Sequence, residues 1–66
     1  MLLKVEKMTC NHCVRSVTNA VKSVDPGAEV SVDLPSQQVR VAGQADAEAI
    51  AAAIREEGYS AAVIER

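Results

Sequence analysis

The chain has 66 residues, of which 48% are hydrophobic and 24% are charged, and its formal net charge is -2 at pH 7. A high apolar fraction with a low net charge excludes an intrinsically disordered chain, and the absence of a basic stripe excludes a typical nucleic-acid-binding domain. The longest apolar run, residues 49–54, is far shorter than a membrane span. We therefore expect one small domain over residues 1–66, with an aliphatic core because the chain has one Tyr, no Phe and no Trp.

The first half of the chain predicts a strand followed by a helix. Residues 2–7 alternate apolar and charged side chains, which is typical of a half-buried strand. The inner face of the following helix is marked by valines spaced three and four residues apart, at Val14, Val17, Val21 and Val24. Its outer face carries Arg15 and Lys22 but no acidic residue, and the Asp-Pro-Gly sequence at 25–27 ends the helix.

The second half predicts a hairpin, a second helix and a closing strand. Residues 30–34 and 38–42 both alternate apolar and polar side chains, and the Pro-Ser-Gln sequence between them indicates a turn. Asp46 can cap a helix over about residues 47–57, and a glycine follows the predicted helix end. Residues 60–65 are predicted to form the last strand.

The predicted order of elements, βαββαβ, indicates an α+β fold. Two helices must cover one face of a four-stranded sheet to bury their apolar stripes. If each βαβ crossover leaves room for one strand, the strands interleave into an antiparallel sheet, which is the ferredoxin-like sandwich. This arrangement places the loop after the first strand beside the loop at residues 58–60.

Both cysteines and the only histidine lie within the sequence Met-Thr-Cys-Asn-His-Cys, residues 8–13. Cys10 and Cys13 fall where the first strand meets the first helix, and their spacing lets both sulfurs point at one site. The free N–H groups and the positive dipole end of the helix lower thiol pKa values, above all that of Cys13. The sequence therefore predicts a pair of thiolates suited to a soft metal.

Several chemistries use such a cysteine pair. The N-terminal Met-Leu-Leu-Lys is too short for a signal peptide, so we expect a cytoplasmic protein, in which a structural disulfide is disfavoured. A closed zinc site needs four ligands, whereas two thiolates suit Cu(I) and leave room for a third sulfur to attack. A dithiol redox protein is the alternative from another class, although a thioredoxin-like enzyme has a different order of elements.

The Met-x-Cys-x-x-Cys sequence, followed by a helix in a βαββαβ chain of this size, resembles the heavy-metal-associated (HMA) domain family. Within that family it is most similar to the bacterial cytoplasmic copper chaperones of the CopZ type, over essentially the whole chain. The resemblance implies that Cys10 and Cys13 bind Cu(I) and that the protein is a carrier and not an enzyme. It also implies delivery to the metal-binding domain of a copper-transporting P-type ATPase, or to a copper-responsive regulator.

The resemblance also implies supporting roles for neighbouring residues. Met8 corresponds to a buried methionine that supports the loop, although its thioether is a possible copper ligand. Tyr59 corresponds to a tyrosine beside the metal site, where we predict that its hydroxyl stabilises the anionic bis-thiolate complex. Thr9 is neutral where zinc-preferring relatives often have an acid, which favours Cu(I). No role transfers to His12, whose ring we expect to face solvent; the alternative is a third ligand or a bridge in a dimer.

Three further questions stay open at the level of the sequence. The cargo could be another thiophilic ion, such as Hg(II), Cd(II) or Zn(II). The protein could be a monomer or a copper-linked homodimer. Arg15 and Lys22 form either an ordinary solvated face or a docking surface for an acidic acceptor domain.

Overall fold

The computed structural model describes residues 1–65, and Arg66, the last residue of the expected domain, lies outside the described residues. The elements are β1 (Leu2–Glu6), α1 (Asn11–Val24), β2 (Glu29–Asp33), β3 (Gln38–Ala42), α2 (Ala47–Glu56) and β4 (Ser60–Glu65). The predicted βαββαβ order is confirmed, and the boundaries given by the sequence differ by about one residue. No helix within residues 1–65 combines the length and the apolarity that crossing a membrane requires.

The sheet has the strand order β2-β3-β1-β4, and every neighbouring pair is antiparallel. This topology confirms the ferredoxin-like sandwich. Lys4 of β1 pairs with Gln38 of β3, and Glu6 pairs with Ser60 of β4. The carboxyl end of β1 therefore lies between the β2–β3 turn and the beginning of β4, so three segments that are distant in sequence meet at one edge of the sheet.

The core lies between one face of the sheet and the inner faces of the two helices. Its fully buried large side chains come from the central strands, from both helices and from the loop after β1: Leu3, Val5, Met8, Val17, Val21, Val39, Val41, Ile50 and Ile54. Val30 and Val32 are only half-buried, because β2 is an edge strand. Val24, which the valine spacing placed on the inner face of α1, is 37% exposed. It is the last residue of the helix, where the chain turns away at Asp25.

Asp25 ties the end of α1 to the loop before α2. Its carboxylate accepts the backbone N–H groups of Gln44 at 2.6 Å and Ala45 at 3.1 Å. Both hydrogen bonds lower the pKa of Asp25, and the bond from Gln44 has the larger effect. A Cβ at Gly43 would collide with the Asp25 carboxylate, so only glycine allows this close approach. Asp46 occupies the predicted N-cap position of α2, although its side chain makes no capping hydrogen bond.

Candidate metal centre

The loop between β1 and α1 begins with an unusual turn. Lys7 adopts a φ of 75°, a left-handed conformation that is uncommon for a residue other than glycine. Met8 then points into the core and is 1% exposed, whereas Cys10 is exposed at the N-cap of α1. The carbonyl of Cys10 accepts the N–H of Cys13 at 3.0 Å, which begins the helix. The buried methionine therefore anchors a loop whose next turn presents the cysteines.

The two cysteine sulfurs lie side by side at the N-terminus of α1. The Sγ atoms of Cys10 and Cys13 are 3.8 Å apart and both thiols are free. The first turn of α1 contains no acidic residue, so the unpaired N–H groups and the positive end of the helix dipole meet no competing carboxylate of that turn. This site favours negative charge on the sulfurs.

Cys13 has the more strongly perturbed thiol. Four interactions lower the pKa of Cys13 to about 6. The largest effect comes from the backbone N–H of Thr9 and the next from the Tyr59 hydroxyl, and the side chains of Cys10 and Thr9 have smaller effects. Partial burial opposes them. At pH 7 the Cys13 sulfur is therefore mostly thiolate, whereas a thiol with the ordinary pKa of 9.0 is almost fully protonated.

Tyr59 reaches the same sulfur from the α2–β4 loop. Gly58 has a φ of 97° and turns the chain after α2, and Tyr59 follows it, partly buried against the core. The hydrogen bond to Cys13 is the main cause that raises the pKa of Tyr59, followed by burial, whereas a hydrogen bond from Ser16 lowers it. The ionisation of Tyr59 is thus influenced by both the Cys13 sulfur and the Ser16 side chain.

His12 lies between the cysteines in sequence and is exposed. Within residues 1–65, no group of three or more His, Cys, Asp or Glu side chains is arranged to hold a metal ion. The described residues therefore show a two-sulfur arrangement beside an exposed His12, and a role for His12 as a third ligand or as a bridge in a dimer stays the alternative.

Residues 2–60 match the sequence model of the heavy-metal-associated domain. The chain belongs to this family. It is 40% identical over 63 residues to the copper chaperone CopZ of Bacillus subtilis, and the match covers 91% of each chain. It is also 40% identical over 60 residues to copper-transporting ATPase 2 of Rhizobium meliloti, where it covers 86% of this chain but 7% of the ATPase.

A solved structure extends the likeness to three dimensions. The copper chaperone Atx1 from Synechocystis PCC6803 matches with a TM-score of 0.88 and 32% identity, and the match covers 94% of this chain and 98% of that chain. This heavy-metal-associated domain therefore shares its backbone arrangement with that chaperone over 94% of its length.

Two residues of this heavy-metal-associated domain contact the site without having been expected from the sequence. Ser16 follows Cys13 by three positions, so helical spacing could have identified it. Gln37 comes from the β2–β3 turn, and its Nε2 donates to the carbonyl of Met8 at 2.7 Å. Only the pairing of β1 with β3 predicts that contact, because the two residues are 29 positions apart.

Proposed function

We propose that this single domain, residues 1–66, is a Cu(I) carrier in which Cys10 and Cys13 are the metal ligands. The observation that carries the proposal is the pair of exposed sulfurs 3.8 Å apart at a helix N-terminus. A metal–thiolate bond is about 2.3 Å long for zinc, so one ion lies within reach of both sulfurs. The likeness to relatives named as copper chaperones supports the same function.

The donor set favours Cu(I) over harder or more highly coordinated ions. Thiolates are soft ligands that suit Cu(I), whereas a closed zinc site needs four protein ligands. Two thiolates and one Cu(I) carry a total charge of -1. The Thr9 N–H, the Tyr59 hydroxyl and the helix N-terminus all face this charge and stabilise it.

An exposed two-sulfur site also suits delivery. Cys10 is exposed and Cys13 is half-buried, so an incoming thiolate can approach the metal from the side of Cys10. A first acceptor thiolate would form a third copper–sulfur bond, after which one of the two original bonds breaks. A second acceptor thiolate would then replace the remaining one, and the two released thiolates of this chain could take up protons from water. The oxidation state of copper does not change, so the protein acts as a carrier and catalyses no reaction.

The acceptor we propose is the metal-binding domain of a copper-transporting P-type ATPase, in the cytoplasm. The likeness to an ATPase named for copper transport supports this acceptor, and a copper-responsive regulator is the second one. The protein would act as a monomer or as a copper-linked dimer, in which His12, exposed beside the cysteines, would be available to a second copy.

Anaerobic native mass spectrometry with limiting Cu(I) and excess Zn(II) tests the proposal. We expect one Cu(I) per chain or per pair of chains, with no copper retained by the Cys10→Ser, Cys13→Ser double variant. Met8→Leu is the matched control, because it removes a nearby sulfur that we place in the core. Preferential loading of Zn(II), or of Hg(II) or Cd(II) in parallel titrations, would contradict the copper assignment. Disulfide-reductase turnover without metal binding would indicate a dithiol redox protein.

A further inference from the structure

The side chain of Gln37 joins the β2–β3 turn to the loop that holds the cysteines. Its Nε2 donates to the carbonyl oxygen of Met8 at 2.7 Å, and its Oε1 accepts the N–H of Lys7 at 3.2 Å. The backbone carbonyl of Gln37 also accepts the N–H of Val5 at 2.9 Å. Three hydrogen bonds from one residue therefore fasten the beginning of this loop to the sheet.

One of these bonds holds a peptide group that contacts the site directly. The Met8 carbonyl and the Thr9 N–H belong to the same peptide unit, and the Thr9 side chain contacts the Cys13 sulfur, with 3.9 Å between Oγ1 and Sγ. The peptide is planar, so fixing the direction of its oxygen also fixes the direction of its N–H. The Gln37 side chain is thus connected through one peptide to Cys13.

The backbone at both ends of this contact is held in a rarely populated conformation. Lys7 has a φ of 75° and Gln37 a φ of 57°, and neither is a glycine. Such conformations persist where the surrounding contacts hold them. The two side-chain hydrogen bonds of Gln37 lie on either side of the turn at Lys7, one at the N–H of Lys7 and the other at the carbonyl of Met8.

We propose that Gln37 is a positioning residue of the metal loop, which holds the Met8–Thr9 peptide so that Thr9 stays in contact with the Cys13 sulfur. Without it, the loop keeps its sequence but samples other orientations of that peptide. The two sulfurs then spend less time in the arrangement that binds one ion. This inference rests on the proposed function, because it assigns Gln37 a part in binding Cu(I) through Cys10 and Cys13.

The test compares Gln37→Met with Gln38→Met. Methionine keeps the length of the side chain and has no donor or acceptor that can replace the amide, and Gln38 is the neighbouring glutamine, paired in β3. Cu(I) affinity is measured anaerobically by competition with a chromophoric Cu(I) chelator. Amide hydrogen exchange of the metal-free protein is measured by NMR, and global stability by urea unfolding.

We expect Gln37→Met to bind Cu(I) about 3- to 10-fold more weakly, the range that the loss of one net hydrogen bond gives. Exchange at the amide of Lys7 should accelerate while that of the core strands stays unchanged, and Gln38→Met should behave as wild type. Wild-type affinity in Gln37→Met would overturn the positioning role. Equal acceleration in the loop and the core would also overturn it, because the loss would then reflect global destabilisation.

A second variant keeps the test decisive if Gln37→Met does not fold. Asparagine tolerates the left-handed backbone better than most residues, but its side chain is one methylene shorter. Gln37→Asn should therefore fold as wild type and still lose Cu(I) affinity, and wild-type affinity here would overturn the proposal. If the wild-type chain itself binds no Cu(I), the proposed function fails, and that result is visible before any variant is compared.

Discussion

Removing the Tyr59 hydroxyl tests how the fold tunes the metal-binding sulfur. The change Tyr59→Phe keeps the ring against the core and deletes one of the two main donors to Cys13. The Thr9 N–H, which is the larger contributor, remains. The pKa of Cys13 should therefore rise from about 6 but stay below its ordinary value of 9.0.

The expected magnitude follows from the thiolate fraction. With a pKa of about 6, half of the wild-type Cys13 sulfur is thiolate at pH 6. A weakened hydrogen bond to the charged form moves the ionisation to higher pH, and we expect alkylation at pH 6 to slow by about 3- to 10-fold. Above pH 9 the thiol is mostly ionised in both proteins, so their rates should converge.

The assay is pulsed alkylation of the metal-free protein with iodoacetamide between pH 5 and 10, followed by trypsin digestion. Cleavage after Lys7 and Arg15 releases one peptide with both cysteines, and its fragmentation distinguishes modification at Cys10 from modification at Cys13. Ser60→Ala, at the exposed residue after Tyr59, is the matched control. Superimposable profiles for Tyr59→Phe and wild type would refute the reasoning, as would an equal shift in Ser60→Ala. Release of Cu(I) to a chelator should be faster from Tyr59→Phe than from wild type. Equal release rates would show that the hydroxyl does not stabilise the copper complex.

Three further predictions concern the support of the site, the stability of the fold and the partner surface. Met8→Leu should bind Cu(I) as wild type and change the free energy of unfolding by less than about 1.5 kcal/mol. Met8→Ala should lower the free energy of unfolding by about 2–5 kcal/mol in urea titrations. Weaker copper binding in Met8→Leu would indicate a thioether ligand. Asp25 has a lowered pKa, so its stabilising contribution is present above the ordinary value of 3.8 and is lost as pH falls through the lower folded-state value. The Tm of Asp25→Asn should accordingly be lower than that of wild type at pH 7, and the difference should shrink below pH 3.8; a constant difference would contradict this assignment. The double charge reversal Arg15→Glu, Lys22→Glu should slow copper transfer to an acidic acceptor domain and weaken its dependence on salt, measured by stopped flow, whereas an unchanged rate would leave these residues as an ordinary solvated face.

Much of the fold could be predicted from local patterns. The alternation in residues 2–6 and 38–42 and the valine spacing in α1 each reflect burial on one side, which is a property of the segment itself. The Cys-x-x-Cys spacing at a strand–helix junction likewise places two sulfurs together, because one helical turn sets their separation. These features identified the order of elements and the sulfur pair before any tertiary contact was considered.

The same patterns could not predict the position of each strand in the sheet. Val30 and Val32 alternate as regularly as Val39 and Val41, yet the first pair is half-buried and the second is at most 1% exposed. The difference arises because β3 pairs on both sides and β2 on only one. Alternation shows which face of a strand is apolar, but it contains no information on how many neighbours cover that face.

The sequence by itself therefore determined the elements, the antiparallel α+β class and the position of Cys10 and Cys13 at a helix N-terminus. The resemblance to the family placed Tyr59 beside the sulfurs, whereas only the tertiary structure showed that Gln37 contacts the loop that carries them. Tyr59 and Gln37 reach the loop because β1 pairs with β4 on one side and with β3 on the other. Hydrogen bonds between residues 29 or more positions apart have no periodic signature in a sequence. They exist because the chain folds back on itself: Tyr59 adds to the local effect of Thr9 in lowering the pKa of Cys13, and Gln37 holds the loop that precedes Cys10.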